Sequence, residues 1–162
     1  MDNADFLIRP AIPQDAEDTR RVLVETWHDT YDPLLGSDKV AEITGRWHAA
    51  EVLTQQISLP DASFLVAGHL GRLIGHAFAR VPQPGVLFLS RLYVLPSWQR
   101  RGLGTRMLEA VTERHSGAAR MRLSVEAENG KGMAFYHRHG FAVMGERTEE
   151  GLRSLQMEKL LR

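Results

Sequence analysis

The sequence predicts an α/β fold of the α+β kind, in which about four helices pack on a mixed central sheet of about seven strands. Three observations lead to this prediction. Short apolar runs and amphipathic segments follow one another in the order β-α-α-β-β-β-α-β-α-β-β, which combines neighbouring strands with strands separated by helices. Glycine and proline clusters separate these runs. The length, 162 residues, suits one domain with a full-sized core, so we expect residues 1–162 to form a single domain.

The first third of the chain is predicted to contain one strand and two helices. Residues 6–9 form a short strand candidate that ends at Pro10. A helix is expected to open at residues 13–15 and to break at residues 31–33, where Pro33 follows Tyr-Asp. Residues 38–58 are expected to form the second helix, because apolar side chains recur there at helical spacing.

The remainder of the chain is predicted to be richer in strands. The predicted strands are residues 63–67, 72–81, 86–95, 120–126, 141–146 and 152–159. Turns are expected at residues 68–71, 82–85 and 149–151. Two further helices are expected, one over about 101–114 and one from Asn129 to near His139, with Gly140 as the C-cap.

The composition excludes several classes of protein and site. Twenty Lys and Arg residues balance twenty Asp and Glu residues, so no net field favours nucleic acid or an anionic membrane. The absence of cysteine excludes disulfides, thiolate metal sites and a cysteine nucleophile, and the seven histidines lack metal-site spacing. Residues 1–5 are polar and acidic, unlike a signal peptide, and no apolar run approaches the roughly 20 residues of a membrane span. We therefore expect a cytoplasmic protein without a metal, nucleic-acid or membrane partner.

Residues 92–105 are the most informative segment, and they read Leu-Tyr-Val-Leu-Pro-Ser-Trp-Gln-Arg-Arg-Gly-Leu-Gly-Thr. An apolar strand stops at Pro96, a turn with two arginines and two glycines follows, and an amphipathic helix begins. The backbone N–H groups at such a helix N-terminus lack intrahelical partners, and the helix dipole adds partial positive charge. The segment therefore predicts a phosphate site. Met107 stands where a dinucleotide motif has its third glycine, and no Gly-Lys-Ser/Thr ending marks a P-loop.

A second segment, residues 129–141, reads Asn-Gly-Lys-Gly-Met-Ala-Phe-Tyr-His-Arg-His-Gly-Phe. Residues 99–104 fit the signature Gln/Arg-x-x-Gly-x-Gly/Ala, and residues 129–141 resemble the second signature of the same family, in which an asparagine precedes a tyrosine and a Gly-Phe pair. With both, the chain resembles the GNAT superfamily of acetyl-coenzyme A-dependent N-acyltransferases over nearly its whole length. The resemblance implies the GNAT fold, acetyl-CoA as co-substrate, and direct attack of a primary amine on the thioester in a ternary complex.

The resemblance also implies which residues bind acetyl-CoA. The loop amides would bind the pyrophosphate, and the preceding strand, where it splays from its neighbour, would expose main-chain groups to the pantetheine arm. The residues implied are Leu92, Tyr93, Val94, Gln99, Arg100, Arg101, Gly102, Leu103, Gly104, Thr105, Asn129 and Tyr136.

Three of these residues have individual roles by family position. The Val94 N–H would bind the acetyl carbonyl and stabilise an oxyanion. Asn129 would reach the pantetheine arm. Tyr136 would protonate the leaving thiolate, because a phenol with a pKa near 10 is protonated at neutral pH. The structural alternatives are that Val94 is a core residue and that Tyr136 is a core residue with its hydroxyl at a rim.

The general base stays open at this stage. Relatives often have glutamate or histidine at the positions of Phe88 and Ser90, and some have a carboxylate at the position of Ser124. Glu126, on the same strand face as Ser124, and His76 are candidates, with an exposed strand-end charge and a solvated strand residue as the respective alternatives. Deprotonation through water, relayed by Ser90 or by the backbone, is the preferred route.

The acceptor site is expected to involve Trp27, Tyr31, Asp32 and Arg91. Tyr31 beside Asp32 offers an aromatic face next to a carboxylate, which suits an amine cation. Trp27 has the alternative of closing the first helix onto the core. Arg91 matches an arginine common in polyamine- and peptide-acetylating branches, with a surface strand residue as the alternative.

The identity of the acceptor and the presence of turnover are separate questions. The expected acceptor is a small amine such as a polyamine, or a peptide or lysine amine, and a homodimer is possible by analogy with the family. The missing carboxylates at Phe88 and Ser90 motivate a different reading, a CoA- or acyl-CoA-binding sensor or interaction module with little turnover. An enzyme that uses a longer acyl group is a third.

Overall fold

The computed structural model describes residues 6–149 and 151–161. The expectation about the polar segment 1–5 lies outside the described residues, as does Glu150 of the last predicted turn. The strands are β1 (Leu7–Pro10), β2 (Ala62–His69), β3 (Arg72–Gln83), β4 (Val86–Val94), β5 (Arg120–Glu126), β6 (Ala142–Glu149) and β7 (Leu152–Leu160). The helices are α1 (Ala16–Leu35), α2 (Ser37–Trp47), α3 (Ala50–Ile57), α4 (Leu103–Arg114) and α5 (Gly130–Arg138).

The seven strands form one mixed sheet in the order β1-β2-β3-β4-β5-β7-β6. Strand β4 is parallel to β5, whereas β5 with β7 and β6 with β7 pair in antiparallel fashion. A helix precedes β5, as a parallel crossover requires, and a tight turn joins the antiparallel neighbours β2 and β3. The predicted fold class is confirmed.

The chain divides into two compact units. The first unit comprises the chain up to Phe78 together with Arg91–Arg114. The second unit comprises Ala79–Ser90 together with the chain from His115 onwards. The single domain expected from the length stays a prediction.

The first predicted helix is longer than expected, because Pro33 does not end it. Helix α1 continues to Leu35, and its last turn contains Pro33. A proline removes one hydrogen bond of the helix, a loss that is smaller close to the end than in the middle. Gly36 ends the helix instead: its φ is +86°, and its N–H donates to Asp32 O at 2.9 Å.

The second predicted helix is two helices. His48 N donates to Thr44 O at 2.9 Å and closes α2, Ala49 is extended (φ −62°, ψ 148°), and α3 begins at Ala50. Neither glycine nor proline marks this break. His48 is buried and lies edge-on to Trp27 with ring centroids 5.8 Å apart, so packing in the core sets the point where the chain turns.

The other boundaries differ from the predictions by a few residues, for local reasons. Strand β2 extends to His69, and the turn to β3 has two residues, Leu70 and Gly71, with φ of +50° and +80°. Positive φ at both positions is the type I′ geometry that suits the twist of a hairpin. Helix α4 begins at Leu103 rather than near residue 101, because Arg100 and Gly102 are left-handed (φ +63° and +83°).

Each unit has its own buried residues. In the first unit the inward faces of α1, α2 and α3 supply Val22, Leu23, Trp27, Val40, Ile43 and Leu53, all essentially inaccessible. In the second unit, strand β5 alternates buried Met121, Leu123 and Val125 with exposed Arg122 and Ser124. Alternation of this kind gives β5 one apolar face and one polar face.

Candidate active site

The end of β4 presents the main-chain groups of Val94 on the side away from β3. Leu95 N donates to Ile74 O of β3 at 2.9 Å. In antiparallel pairing the N–H groups of successive residues point to opposite edges, so the Val94 N–H points to the other edge. The Val94 carbonyl shares that orientation, and it accepts a hydrogen bond from Gln99 Nε2 at 3.0 Å. Gln99 thereby ties the following loop to the strand.

The parallel register of β4 with β5 covers only part of β4. It runs from Val86 to Leu89, opposite Arg120 to Leu123, whereas β4 itself continues to Val94. Val94 therefore lies in the segment of β4 that follows the part paired with β5.

The loop after β4 carries the geometry of an anion site. Arg100 and Gly102 adopt left-handed φ, and the first backbone bond of α4 runs from Arg106 N to Gly102 O at 3.1 Å. The amides of Leu103 and Gly104 come before that bond, at the positive end of the helix dipole. Thr105, in the same first turn, is half-buried.

The exposed Arg101 adds a full positive charge next to this turn. Its guanidinium lies 4.6 Å from the ring centroid of Trp98, and Trp98 in turn packs on His69 with centroids 4.6 Å apart. Stacking on an aromatic face restricts where the charge of an exposed arginine lies.

In the second unit, Asn129 caps helix α5. Its Oδ1 accepts a hydrogen bond from Gly132 N at 3.0 Å. A Cβ built on Gly132 would lie 2.7 Å from Asn129 Nδ2, so the cap needs glycine at this position. The asparagine signature in the sequence therefore has a structural function in addition to the implied contact with the pantetheine arm, which stays a prediction.

Tyr136 lies on α5 with its ring against Phe141, at a centroid distance of 5.5 Å. The side chain is half-buried. Removal of its hydroxyl from solvent raises the pKa of Tyr136 well above 10, and the nearby Glu126 carboxylate raises it further. The phenol therefore keeps its proton across the physiological range, as a proton donor must.

The comparisons with known proteins identify the family. A family model described as an acetyltransferase (GNAT) domain matches residues 31–161. This chain belongs to the GNAT acetyltransferase family. The predicted enzyme class is thereby confirmed: this acetyltransferase is an N-acyltransferase, and acetyl-CoA is its co-substrate.

Individual relatives agree with that assignment. Uncharacterized N-acetyltransferases from Mycobacterium tuberculosis and Mycobacterium bovis are 26% identical over 136 residues, which are 83% of this chain and 87% of theirs. The crystal structure of the PaiA N-acetyltransferase from Thermoplasma acidophilum in complex with coenzyme A is 27% identical, with a TM-score of 0.85 over 96% of this chain and 98% of that one. The ribosomal-protein-S18-alanine N-acetyltransferase from Escherichia coli, 18% identical with a TM-score of 0.72 over 96% and 94% of the two chains, shares the fold.

His76 of the acetyltransferase is neither a general base nor a solvated strand residue. It is completely buried, Nδ1 lies 2.9 Å from Leu65 O, and Nε2 accepts a hydrogen bond from Arg91 Nε at 3.1 Å. Burial lowers the pKa of His76 well below 6.5, and the charge of Arg91 lowers it further. Both ring nitrogens are occupied, so His76 cannot take a proton from the acceptor amine.

The predicted positions around Ser90 contain no carboxylate. Ser90 Oγ accepts a long hydrogen bond of 3.4 Å from Arg80 Nε, and the Arg80 guanidinium lies 5.6 Å from the ring centroid of Phe88. Ser124 Oγ accepts from Gln156 Nε2 at 3.3 Å on the neighbouring strand. Glu126, which is half-buried, is the carboxylate whose charge acts on Tyr136.

The aromatic pair predicted for the acceptor site is buried in the first unit. Trp27 and Tyr31 are 2% and 1% exposed, and their ring centroids are 4.5 Å apart. Trp27 Nε1 donates to the Tyr93 hydroxyl at 3.2 Å, which fixes the indole to β4. The core alternative for Trp27 is thereby favoured. Asp32 keeps a 37% exposed side chain and lies 2.7 Å from His28 Nδ1. The acceptor role of Tyr31 and Asp32 stays a prediction.

Arg91 is not the surface residue offered as an alternative, because its guanidinium packs against two aromatic rings of the first unit. Sequence analysis missed its neighbours Gln56 and His48, which come from α3 and from the junction before it. No motif marks either residue. Their proximity to Arg91 depends on the break between α2 and α3.

The described residues provide neither a metal site nor a membrane-spanning helix. Within residues 6–149 and 151–161, no group of three or more His, Asp or Glu side chains could hold a metal ion. The helices of the described chain include none with the length and apolar character needed to cross a bilayer.

Proposed function

We propose that this acetyltransferase transfers the acetyl group of acetyl-CoA directly to a primary amine of a small molecule or a peptide. The observation that carries the proposal is the orientation of Val94, whose N–H points away from β3 at the strand end that leads into the anion loop. A donor fixed in a strand needs no reorganisation when negative charge develops on the carbonyl oxygen.

The residues present fit acetyl-CoA. The loop from Gln99 to Thr105 offers main-chain amides and the positive end of α4 to the pyrophosphate. Arg101 adds a charge that is already positioned by Trp98. Leu92 and Tyr93 precede Val94 on β4 in the first unit. In the second unit, the Asn129 side chain lies at the N-terminus of α5.

The chemistry supplied by acetyl-CoA is an acetyl thioester. Val94 would donate its N–H to the carbonyl oxygen, and Tyr136 would hold a proton on its phenol for the departing sulfur. The raised pKa of Tyr136 keeps the proton on the phenol at neutral pH, and the negative charge that develops on sulfur as the C–S bond breaks would draw that proton across. The amine proton would pass to water, with Glu126 as the carboxylate that can receive it.

The test measures acetyl transfer to a panel of primary amines by following the release of the free thiol. We expect turnover with wild-type protein and a loss of about 100-fold in kcat for Tyr136→Phe, because a positioned acid contributes at least this much. The dissociation constant for CoA should change less than twofold. An unchanged kcat would remove Tyr136 as the acid.

The alternative hypothesis, a CoA-binding sensor with little turnover, predicts a different result in the same assay. Retained CoA binding without transfer to any amine would favour a CoA-binding module over an enzyme with turnover. A thermal-shift series with acetyl-, butyryl- and longer acyl-CoA then tests the third reading, since a larger stabilisation by a longer chain would change the assigned acyl group.

A further inference from the structure

Arg91 carries a positive charge into the aromatic interior of the first unit. Its guanidinium carbon lies 4.8 Å from the ring centroid of Phe78 and 5.7 Å from that of Phe64. Burial lowers the pKa of Arg91 to about 10, so the group remains charged at neutral pH. The structure therefore holds a permanent cation against two adjacent rings, whose centroids are 5.6 Å apart.

The hydrogen bonds of Arg91 go to neutral groups. Nε donates to His76 Nε2 at 3.1 Å, and Nη2 donates to Gln56 Oε1 at 2.6 Å. The His76 nitrogen that accepts from Arg91 carries no proton, so the proton is on Nδ1 and is donated to Leu65 O. A guanidinium has five N–H donors, and these two bonds leave Nη1 without a protein partner among the described residues.

No anion balances this charge in the part of the chain that the structure describes, where none of the ion pairs includes Arg91. Arg91 is half-buried, and a cation that is partly withdrawn from water loses hydration that an opposite charge would replace. Its two cation–π contacts, worth about 0.5–2 kcal/mol each, contribute to that replacement without supplying a negative charge. An arrangement of this kind suits a cation that receives its anion from a ligand.

A second polar group near Arg91 also lacks a partner. His48 is 4% exposed, and within the described residues its Nδ1 makes no hydrogen bond. Burial lowers the pKa of His48 to about 3, and the charges of Arg91 and Arg20 contribute. The charges that act on this histidine are therefore both positive, and the imidazole is neutral.

We infer that Arg91 holds a carboxylate of the acceptor, and that the acceptor is an amine that also carries a carboxylate. The inference rests on the proposed function. A single guanidinium beside two neutral imidazoles matches one negative charge, and a guanidinium edge fits both oxygens of a carboxylate, whereas a phosphate dianion calls for more than one cation.

The position of Arg91 on β4 sets the form of that acceptor. Arg91 precedes Val94 by three residues, which is about 10 Å along an extended strand. The amine that reacts and the carboxylate that is bound must therefore be separated by several bonds. Lysine, acetylated on its ε-amine, has this form, and cadaverine is the same molecule without the carboxylate.

The experiment compares kcat/KM for lysine and cadaverine in wild type, Arg91→Gln and Arg72→Gln. We expect wild type to favour lysine at least tenfold, since a charge-assisted pair is among the strong hydrogen-bonded contacts. Arg91→Gln should lower the ratio of kcat/KM for lysine to kcat/KM for cadaverine from at least ten to about one. Arg72→Gln removes the same charge from an exposed position on β3 and should keep the preference.

Two outcomes would overturn the inference: equal use of both amines by wild type, or an undiminished preference in Arg91→Gln. If neither amine is acetylated, calorimetry with CoA present decides by binding of the two products. Nε-acetyllysine should bind at least tenfold more tightly than N-acetylcadaverine in wild type and equally in Arg91→Gln; equal binding or no binding in wild type refutes the inference. Transfer to other amines without discrimination would refute it while leaving the proposed function intact.

Discussion

Substitution of Gly75 by alanine tests whether the close approach of α4 to β3 shapes the anion loop. A Cβ at Gly75 would lie 3.0 Å from Met107 Cε, 3.2 Å from Leu103 Cδ2 and 3.3 Å from Tyr93 O. Met107 and Leu103 are completely buried, so neither side chain has free space on its far side. The carbonyl of Tyr93 is main chain and moves only with β4.

The magnitude follows from two opposing effects. Overpacking by a methyl group in a close-packed site costs about 1–3 kcal/mol, whereas replacing glycine by alanine restricts the unfolded chain and returns about 0.4–1 kcal/mol. We expect a net loss of about 1–2 kcal/mol in the free energy of unfolding, or roughly 2–8 °C in Tm for a chain of this size. Because Leu103 opens α4, its displacement should also raise the KM for acetyl-CoA.

The assay is thermal and urea unfolding together with the KM for acetyl-CoA. Gly45→Ala is the matched control: this glycine lies within α2, a Cβ there meets nothing within 4 Å, and alanine should raise stability by about 0.5–1 kcal/mol. Adding Met107→Leu to Gly75→Ala removes the closest contacting atom and should recover part of the loss. A Gly75→Ala protein as stable as wild type, with unchanged KM, would refute the reasoning.

The other predictions concern a helix cap and a buried histidine. Asn129→Ala should lower stability by about 1 kcal/mol by removing the α5 cap, whereas Asn129→Asp should keep the cap and still raise the KM for acetyl-CoA; a normal KM in the aspartate variant would leave Asn129 as a cap alone. His48 is neutral when folded and protonates near pH 6.5 when unfolded, so its contribution to stability is lost as pH falls from about 6.5 towards 3. Urea titrations from pH 6 to 4 should show His48→Phe reducing the pH dependence by about 1.4 kcal/mol per pH unit, and an unaltered slope would contradict the assignment.

The strand–loop–helix segment around Val94 and Gly102 shows how far local signals reach. Its turn geometry is local, since Arg100 and Gly102 adopt left-handed φ, and the amides of a first helical turn lack intrahelical partners in any protein. The segment could therefore be predicted without knowledge of the rest of the chain. The start of α4 was displaced by two residues because both left-handed positions precede the helix.

The break between α2 and α3 shows the opposite case. Residues 38–58 read as one amphipathic helix without proline, and their glycine, Gly45, lies within α2 rather than at the break. The chain turns there because His48 is buried against Trp27, a contact between residues about twenty positions apart. Packing of this kind overrides local propensity, which amounts to less than 1 kcal/mol per residue for most residues.

The sequence by itself determined the family and the strand–loop–helix geometry of residues 92–105, because each depends on patterns within about fifteen consecutive residues. The tertiary structure decided what surrounds single side chains. It buried His76 and Tyr31, made Asn129 a helix cap, and placed Arg91 against two aromatic rings with neutral hydrogen-bond partners. Charge and hydrogen-bonding capacity can be read from residue type, but desolvation and counter-charge depend on neighbours that only folding brings together.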